Sequence, residues 1–184
     1  MTILDKIIEK KIEEVKLLSG NEFATVEYEP VPTFKSLVES SNKMNIIAEI
    51  KRASPSKGEI NSNVDPVQQA KMYEKLGAKA ISVLTDNRFF NGSMEDLIKV
   101  RKAVQLPILC KDFIIDPLQI DYAKAAGANI ILLIVSALED AKLRNLYQYA
   151  KGLDLEVLVE VHNEKEMEQA IQLKPKIIGI NNRN

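Results

Sequence analysis

Glu49 and Lys51 stand two residues apart in Ile46-Ile47-Ala48-Glu49-Ile50-Lys51-Arg52-Ala53-Ser54-Pro55-Ser56, an apolar, β-branched run that otherwise has the composition of a buried strand. Side chains alternate faces along a strand, so the two project to the same side, about 7 Å apart. Burying an unpaired ion is costly, which leaves two arrangements open: a structural ion pair, or a polar site at a strand end that flanks one small molecule. Other apolar runs finish in the same kind of group. Lys111 follows Leu109-Cys110, Glu160 sits between Val159 and Val161, and Asn181 and Arg183 follow Ile177-Ile178-Gly179-Ile180. Acid, base and amide groups thus terminate several strand-like segments, which is the raw material of acid–base chemistry on a small substrate.

The elements that must position these groups alternate along the chain. From Asn45 onward, short runs rich in Ile, Val and Leu predict strands over 46–51, 80–85, 107–111, 130–135, 156–161 and 177–182. Helical patterns lie between them. Asp65-Pro66 and Asp116-Pro117 each place a cap before a first-turn proline, and Asn163 with Glu166 has the spacing of a capping box. Gly77, Gly127 and Gly152 stand where helices should stop, and Leu76-Gly77-Ala78-Lys79-Ala80-Ile81 is echoed by Ala126-Gly127-Ala128-Asn129-Ile130-Ile131.

Strands joined by crossover helices are parallel, and their near-continuous hydrophobicity implies burial on both faces. Two α/β architectures meet that requirement. A doubly wound sheet usually keeps a glycine-rich ligand turn near its first strand, and neither a Gly-x-Gly-x-x-Gly nor a Walker-type run follows any predicted strand. A (β/α)8 barrel is favoured, because it gathers chemistry at the C-terminal ends of several different strands. Residues 3–18 carry apolar side chains at helical spacing and predict an amphipathic helix; 20–32 reads as a polar connector and 33–40 as a second short helix. The expected organisation is an N-terminal extension over residues 1–32 docked on a barrel domain over 33–184.

Bulk composition narrows the function classes. The chain has 184 residues, 46% apolar and 28% charged, with a formal net charge of −1. That is ordinary globular composition, with no basic stripe for nucleic acid or an anionic membrane. The longest uncharged apolar stretch, 130–137, is far too short to span a bilayer. Cys110 is the only cysteine, and the N-terminus has no apolar signal core, so a reducing cytoplasm is the expected compartment.

Set in order with Glu49 to Ser56, four further strings carry a family resemblance. These are Phe90-Asn91-Gly92-Ser93, Cys110-Lys111-Asp112-Phe113, Leu158-Val159-Glu160-Val161-His162 and Gly179-Ile180-Asn181-Asn182-Arg183. With them the chain closely resembles indole-3-glycerol phosphate synthase over its whole length. The resemblance implies a carboxy-lyase of tryptophan biosynthesis. Its phosphorylated small-molecule substrate, 1-(2-carboxyphenylamino)-1-deoxyribulose 5-phosphate, is cyclised with loss of carbon dioxide and then water. Neither a cofactor nor a metal is implied. By resemblance Lys111 is the general acid, Glu160 a base or acid in the dehydration, and Glu49 and Lys51 hold and protonate substrate, Lys51 also reaching the phosphate. Asn181 would bond substrate hydroxyls, Arg183 and Ser54 would seat the carboxylate, and Phe90 and Phe113 would line the arene. Which lysine donates which proton is left open.

Each assignment has a plainer alternative. Asn181 and Arg183 are also common turn residues, and Phe90 and Phe113 also suit simple packing. His162, the only histidine, is read as structural, on the expectation that it faces away from Glu160 beside a helix cap. Cys110 is expected to point away from Lys111 and pack under a helix. The main departure from the family is length: a closed barrel has eight strands over about 250 residues, with a phosphate seat formed after strands seven and eight. Six predicted strands lead to the expectation of an N-terminal piece, with two open sheet edges that invite self-association. An inactive fragment and a phosphosugar isomerase or epimerase barrel remain as alternatives.

Overall fold

A run such as Ile130-Ile131-Leu132-Leu133-Ile134 has no polar face to offer water, so both its sides must be covered. In the computed structural model, which describes residues 2–182, that run lies inside a six-stranded parallel sheet. In chain order the elements are helix α1 (Ile3–Leu18), α2 (Phe34–Glu39), strand β1 (Ile47–Ile50), the two-residue strands β2 (Ala53–Ser54) and β3 (Gly58–Glu59), and α3 (Pro66–Lys75). There follow β4 (Ala80–Leu84), α4 (Asn87–Phe90), α5 (Met94–Arg101), β5 (Ile108–Lys111), α6 (Pro117–Ala125), β6 (Ile130–Ile134), a 3-10 turn (Val135–Ala137), α7 (Asp140–Gly152), β7 (Glu156–Val161), α8 (Glu164–Gln172) and β8 (Ile177–Ile180).

The large sheet runs β1-β4-β5-β6-β7-β8, so strands adjacent in the repeat are adjacent in space, as short crossovers require. All five pairings are parallel. The sheet curls into an incomplete barrel of the (β/α)8 type, and all six strand predictions lie on observed strands with ends moved by at most two residues. A separate antiparallel hairpin, β2–β3, follows β1.

Alternation divides the core in two. Ile81, Val83, Ile108, Cys110, Ile131, Leu133, Val157, Val159 and Val161 face outward into one cluster with the helices. Ala80, Leu109, Ile130, Leu132 and Ile134 face inward into a second cluster, closed at the N-terminal mouth by Phe34 of α2. Burying a side chain such as Ile131 or Leu133 contributes about 1.5–3 kcal/mol each, so the two-sided strands anchor the fold. Glu156 at the start of β7 holds the plug in place: its carboxylate accepts the Phe34 and Lys35 backbone N–H groups at 2.7 and 3.0 Å.

Helix ends follow the local chemistry. Asp65 and Asp116 accept first-turn N–H groups ahead of Pro66 and Pro117. The echoed turns use Gly77 and Gly127 at φ 91° and 95°, a left-handed geometry that side chains resist, and both lead straight into a strand. The third stop differs. α7 ends at Gly152, yet the left-handed residue is Asp154 at φ 58°, tolerated because a short polar side chain strains less there than a bulky one.

The N-terminal segment wraps the barrel from end to end. Helix α1 lies over the C-terminal strand ends; the connector then stacks Phe23 on Tyr122 at 4.5 Å and bonds Val26 N–H to the Ala125 carbonyl at 2.8 Å along α6. No helix among the described residues is long and apolar enough to cross a membrane.

Candidate active site

Alternation along β1 decides where its charges go. Ala48 and Ile50 pack against the helix-side core, so Glu49 and Lys51 face the barrel interior, where Lys51 Nζ donates to Glu49 Oε1 at 2.6 Å. Arg52 turns back outward and pairs with Asp96 at the start of α5. The two open arrangements of the sequence are thus realised together: an ion pair that also lines a cavity.

Two strands away from each other, β5 and β7 bring Lys111 and Glu160 together. Lys111 Nζ donates to Glu160 Oε2 at 3.0 Å, and Asn181 Nδ2, just past β8, donates to the other oxygen at 3.0 Å. Asn181 is set by its own backbone N–H, which continues the ladder to the Val161 carbonyl at 2.9 Å. Burial by itself pushes the Glu160 carboxyl up; the Lys111 charge, the hydrogen bonds from Asn181 and Lys111, and His162 outweigh it and hold the group below the usual carboxylate range. Glu160 is therefore an ionised, acceptor-only group at neutral pH.

The aromatic side chains meet as well. Phe90 ends α4 and Phe113 follows β5, with ring centroids 5.9 Å apart and planes tilted by 33°. Their loops are tightly built. Asp86 caps α4 by accepting the Phe89 N–H at 2.7 Å, and Asp112 accepts the Thr85 hydroxyl at 2.6 Å and the Phe113 N–H at 2.7 Å. Gly92 is required by close approach, since a Cβ there would lie 2.1 Å from the Leu84 carbonyl oxygen.

Glu49, Lys51, Ser54, Phe90, Lys111, Phe113, Glu160 and Asn181 all line one cavity of about 960 Å³ at the C-terminal ends of the strands. Its floor is Leu109, Leu132, Ile134 and Leu158, and Ile3, Leu4 and Ile7 of α1 form part of its wall. Polar groups converging over an apolar floor suit a substrate with an arene and anionic ends. Arg183 lies outside the described residues. Among the described residues no group of three His, Cys, Asp or Glu side chains is arranged to hold a metal ion.

A family model for indole-3-glycerol phosphate synthase matches residues 4–184. The chain belongs to that family. It is 55% identical to the indole-3-glycerol phosphate synthase of Exiguobacterium sibiricum over 184 residues, and 54% identical to that of Oceanobacillus iheyensis over 186. All of this chain and 71% of each relative are covered. Indole-3-glycerol phosphate synthases are carboxy-lyases of tryptophan biosynthesis, and the expected activity follows from this membership. Among solved structures, a 3-keto-L-gulonate-6-phosphate decarboxylase from Vibrio cholerae aligns with a TM-score of 0.55 at 14% identity, covering 74% of this chain and 62% of that one. That likeness concerns the fold alone.

Against the family's pattern, four features of the site escaped the sequence. Lys11, on α1, is buried, and its ammonium bonds Glu14, Asp86 and Asp112 at 2.6, 2.8 and 2.9 Å. Burial opposes its charge, but Asp112 and Asp86 outweigh that and raise its pKa above the usual lysine value. A signal existed: Lys11 falls four residues after Ile7 on the buried stripe of α1, where a charge needs partners. Asp86 and Asp112 occupy equivalent positions just past β4 and β5, outside the apolar runs where a charge is conspicuous. Ser82 of β4 stands in register with Glu49 and Leu109 and lines the cavity. Like the Ser54 hydroxyl, its Oγ is buried without a hydrogen-bond partner among the described residues.

His162 requires a correction. It does not face away from Glu160: alternation returns every second side chain to the same face, and Nε2 lies 3.6 Å from Glu160 Oε1 in the same cavity. The Asn163 cap is observed, yet Glu166 spends its carboxylate on the His162 N–H and imidazole and on the Asn163 amide, instead of the Asn163 backbone N–H. Cys110 does face the helices beside Thr85, and burial, with Asp112, pushes its thiol up to about 12.

Proposed function

We propose that the strand-end cavity binds 1-(2-carboxyphenylamino)-1-deoxyribulose 5-phosphate and that Lys111 is the general acid of ring closure. The ammonium protonates the ketone oxygen as the ring carbon bearing the carboxylate attacks the ketone carbon. Loss of carbon dioxide then restores the arene, and Glu160 assists departure of the hydroxyl as water. Glu49 and Lys51 hold the ribulose chain, with Lys51 turned toward the phosphate. Asn181 bonds substrate hydroxyls, Ser54 and Arg183 seat the carboxylate, and Phe90 and Phe113 form the arene wall.

One observation carries this reading: a lysine donor, a carboxylate acceptor and an amide form a single hydrogen-bonded group in the same cavity as the Glu49–Lys51 pair. Ammonium and carboxylate in direct contact supply an acid and a base without reorganisation. Within the N-terminal extension over 1–32, helix α1 serves as a cover docked over this site.

The test is indole formation followed by fluorescence, with wild type and Lys111→Ala side by side. The chain contains no tryptophan, so protein background is low. Loss of turnover with substrate affinity retained supports the assignment, and a loss confined to binding removes Lys111 from the acid role.

A further inference from the structure

Each turnover of the family reaction consumes one proton. The substrate carboxylate departs as neutral carbon dioxide and the hydroxyl as water, so one hydrogen ion must enter from solvent to balance charge. Glu160 is 8% exposed and enclosed by Lys111 and Asn181, an arrangement poor for direct exchange with bulk water.

His162 bridges the gap. Its side chain is 31% exposed, Nε2 lies 3.6 Å from Glu160 Oε1, and Nδ1 lies 3.0 Å from Glu166 Oε2. Glu166 is fixed by two more bonds, from the His162 N–H at 2.9 Å and the Asn163 side-chain amide at 2.8 Å. Glu160 faces the ring from β7 and Glu166 from α8; Lys111 and Asn181 both bond Glu160. With Nδ1 against the Glu166 carboxylate and Nε2 facing Glu160, Nδ1 is the nitrogen placed to hold its hydrogen and Nε2 the one placed to exchange a proton. The 3.6 Å separation exceeds hydrogen-bond length by about 0.5 Å, which a small side-chain rotation closes.

We propose that His162 is a positioning residue that relays solvent protons to Glu160, an inference that rests on Glu160 acting as the acid of dehydration. In the relay the Nε2–H bond of the imidazolium breaks and a Glu160 O–H bond forms. Glu160 then protonates the departing hydroxyl, whose C–O bond breaks as water leaves; the adjacent ring carbon loses its hydrogen as a proton, which resets the Lys111 amine emptied in ring closure, and the neutral imidazole takes the one new proton from solvent. Glu166 holds the ring so that the exchanging nitrogen always points at Glu160.

The test compares kcat against pH for wild type, His162→Gln and Glu160→Gln, each with and without added imidazole. The sole histidine makes ring titration and tautomer directly readable by NMR. Expected are a wild-type kcat that falls as pH rises through the measured ring titration and a loss of about tenfold or more in His162→Gln. Partial rescue of that variant by imidazole is expected, with no rescue of an inactive Glu160→Gln. The neutral ring should carry its hydrogen on Nδ1. Wild-type kcat and pH profile in His162→Gln, with Glu160→Gln inactive, would overturn the relay alone, as would an Nε2–H tautomer. An active Glu160→Gln would instead remove the role assigned to Glu160.

Discussion

Two lysine–carboxylate clusters lie within the same half of the molecule and do opposite things. Around Lys11, three carboxylates lie 2.6, 2.8 and 2.9 Å from the ammonium, and its side chain is 4% exposed. Around Lys111, one carboxylate accepts among the described residues, and the side chain is 26% exposed toward the cavity. An ammonium has three hydrogens to give. Lys11 is enclosed by three carboxylates of the protein itself, whereas Lys111 keeps donors for a substrate. The first cluster fastens α1 to the loops after β4 and β5, which carry Phe90 and Phe113; the second stands at the chemistry. Identical ingredients become fastening or catalysis according to how many acceptors surround the cation and how much water reaches it.

Exchanging the two lysines for inert side chains separates these roles most strongly. Lys111→Ala is expected to lower kcat by about 10²–10⁴-fold, the usual worth of a positioned acid, while the thermal midpoint stays close to wild type. Lys11→Met should do the reverse. Removing one partner of a buried ionic group costs about 3–5 kcal/mol, because buried Asp86 and partly buried Asp112 lose their counter-charge, and denaturant unfolding reads that loss directly. A Lys11→Met chain as stable as wild type would show that the cluster fastens nothing.

Alkaline and acid titrations sharpen the contrast. The raised pKa of Lys11 means that its contribution is complete below the unfolded lysine value, about 10.4, and is lost as pH rises through the higher folded value. Wild type should therefore lose stability above about pH 10.4 more steeply than Lys11→Met. Glu160 has the opposite sign. Its lowered pKa gives stability that is present above about pH 4.3 and disappears as pH falls through the folded value, so Glu160→Gln should flatten that acid limb. The smallest effect belongs to the aromatic wall. Phe113→Leu should raise KM by a few fold with kcat little changed, matching the roughly 0.5–1.5 kcal/mol of an aromatic pair.

Much of this organisation was legible because it is local. Asp65-Pro66 and Asp116-Pro117 cap helices whatever the rest of the chain does, and Gly77 and Gly127 end them for backbone reasons. Lys111 and Glu160 stood out because a charge in an apolar strand is conspicuous. His162 departs from its expected direction because the strand period returns residue i+2 to the face of residue i. Ser82, a small hydroxyl inside Ala80-Ile81-Ser82-Val83-Leu84, offered no such contrast, and only the cavity reveals that it has no partner among the described residues.

The order of the six sheet strands, the helix caps, the family and the residues at the strand ends are thus properties of the sequence, since each depends on neighbours a few positions away, whereas the short β2–β3 hairpin and α4 emerged only in the structure. Which charges meet was decided by the tertiary structure. Lys111 reaches Glu160 across 49 residues of chain, and Glu156 reaches Phe34 across 122. Lys11 finds both aspartates only because α1 lies across the ends of β4 and β5. Hydrogen bonds and ion pairs act over about 3 Å, and the curl of the sheet alone determines which distant residues come that close.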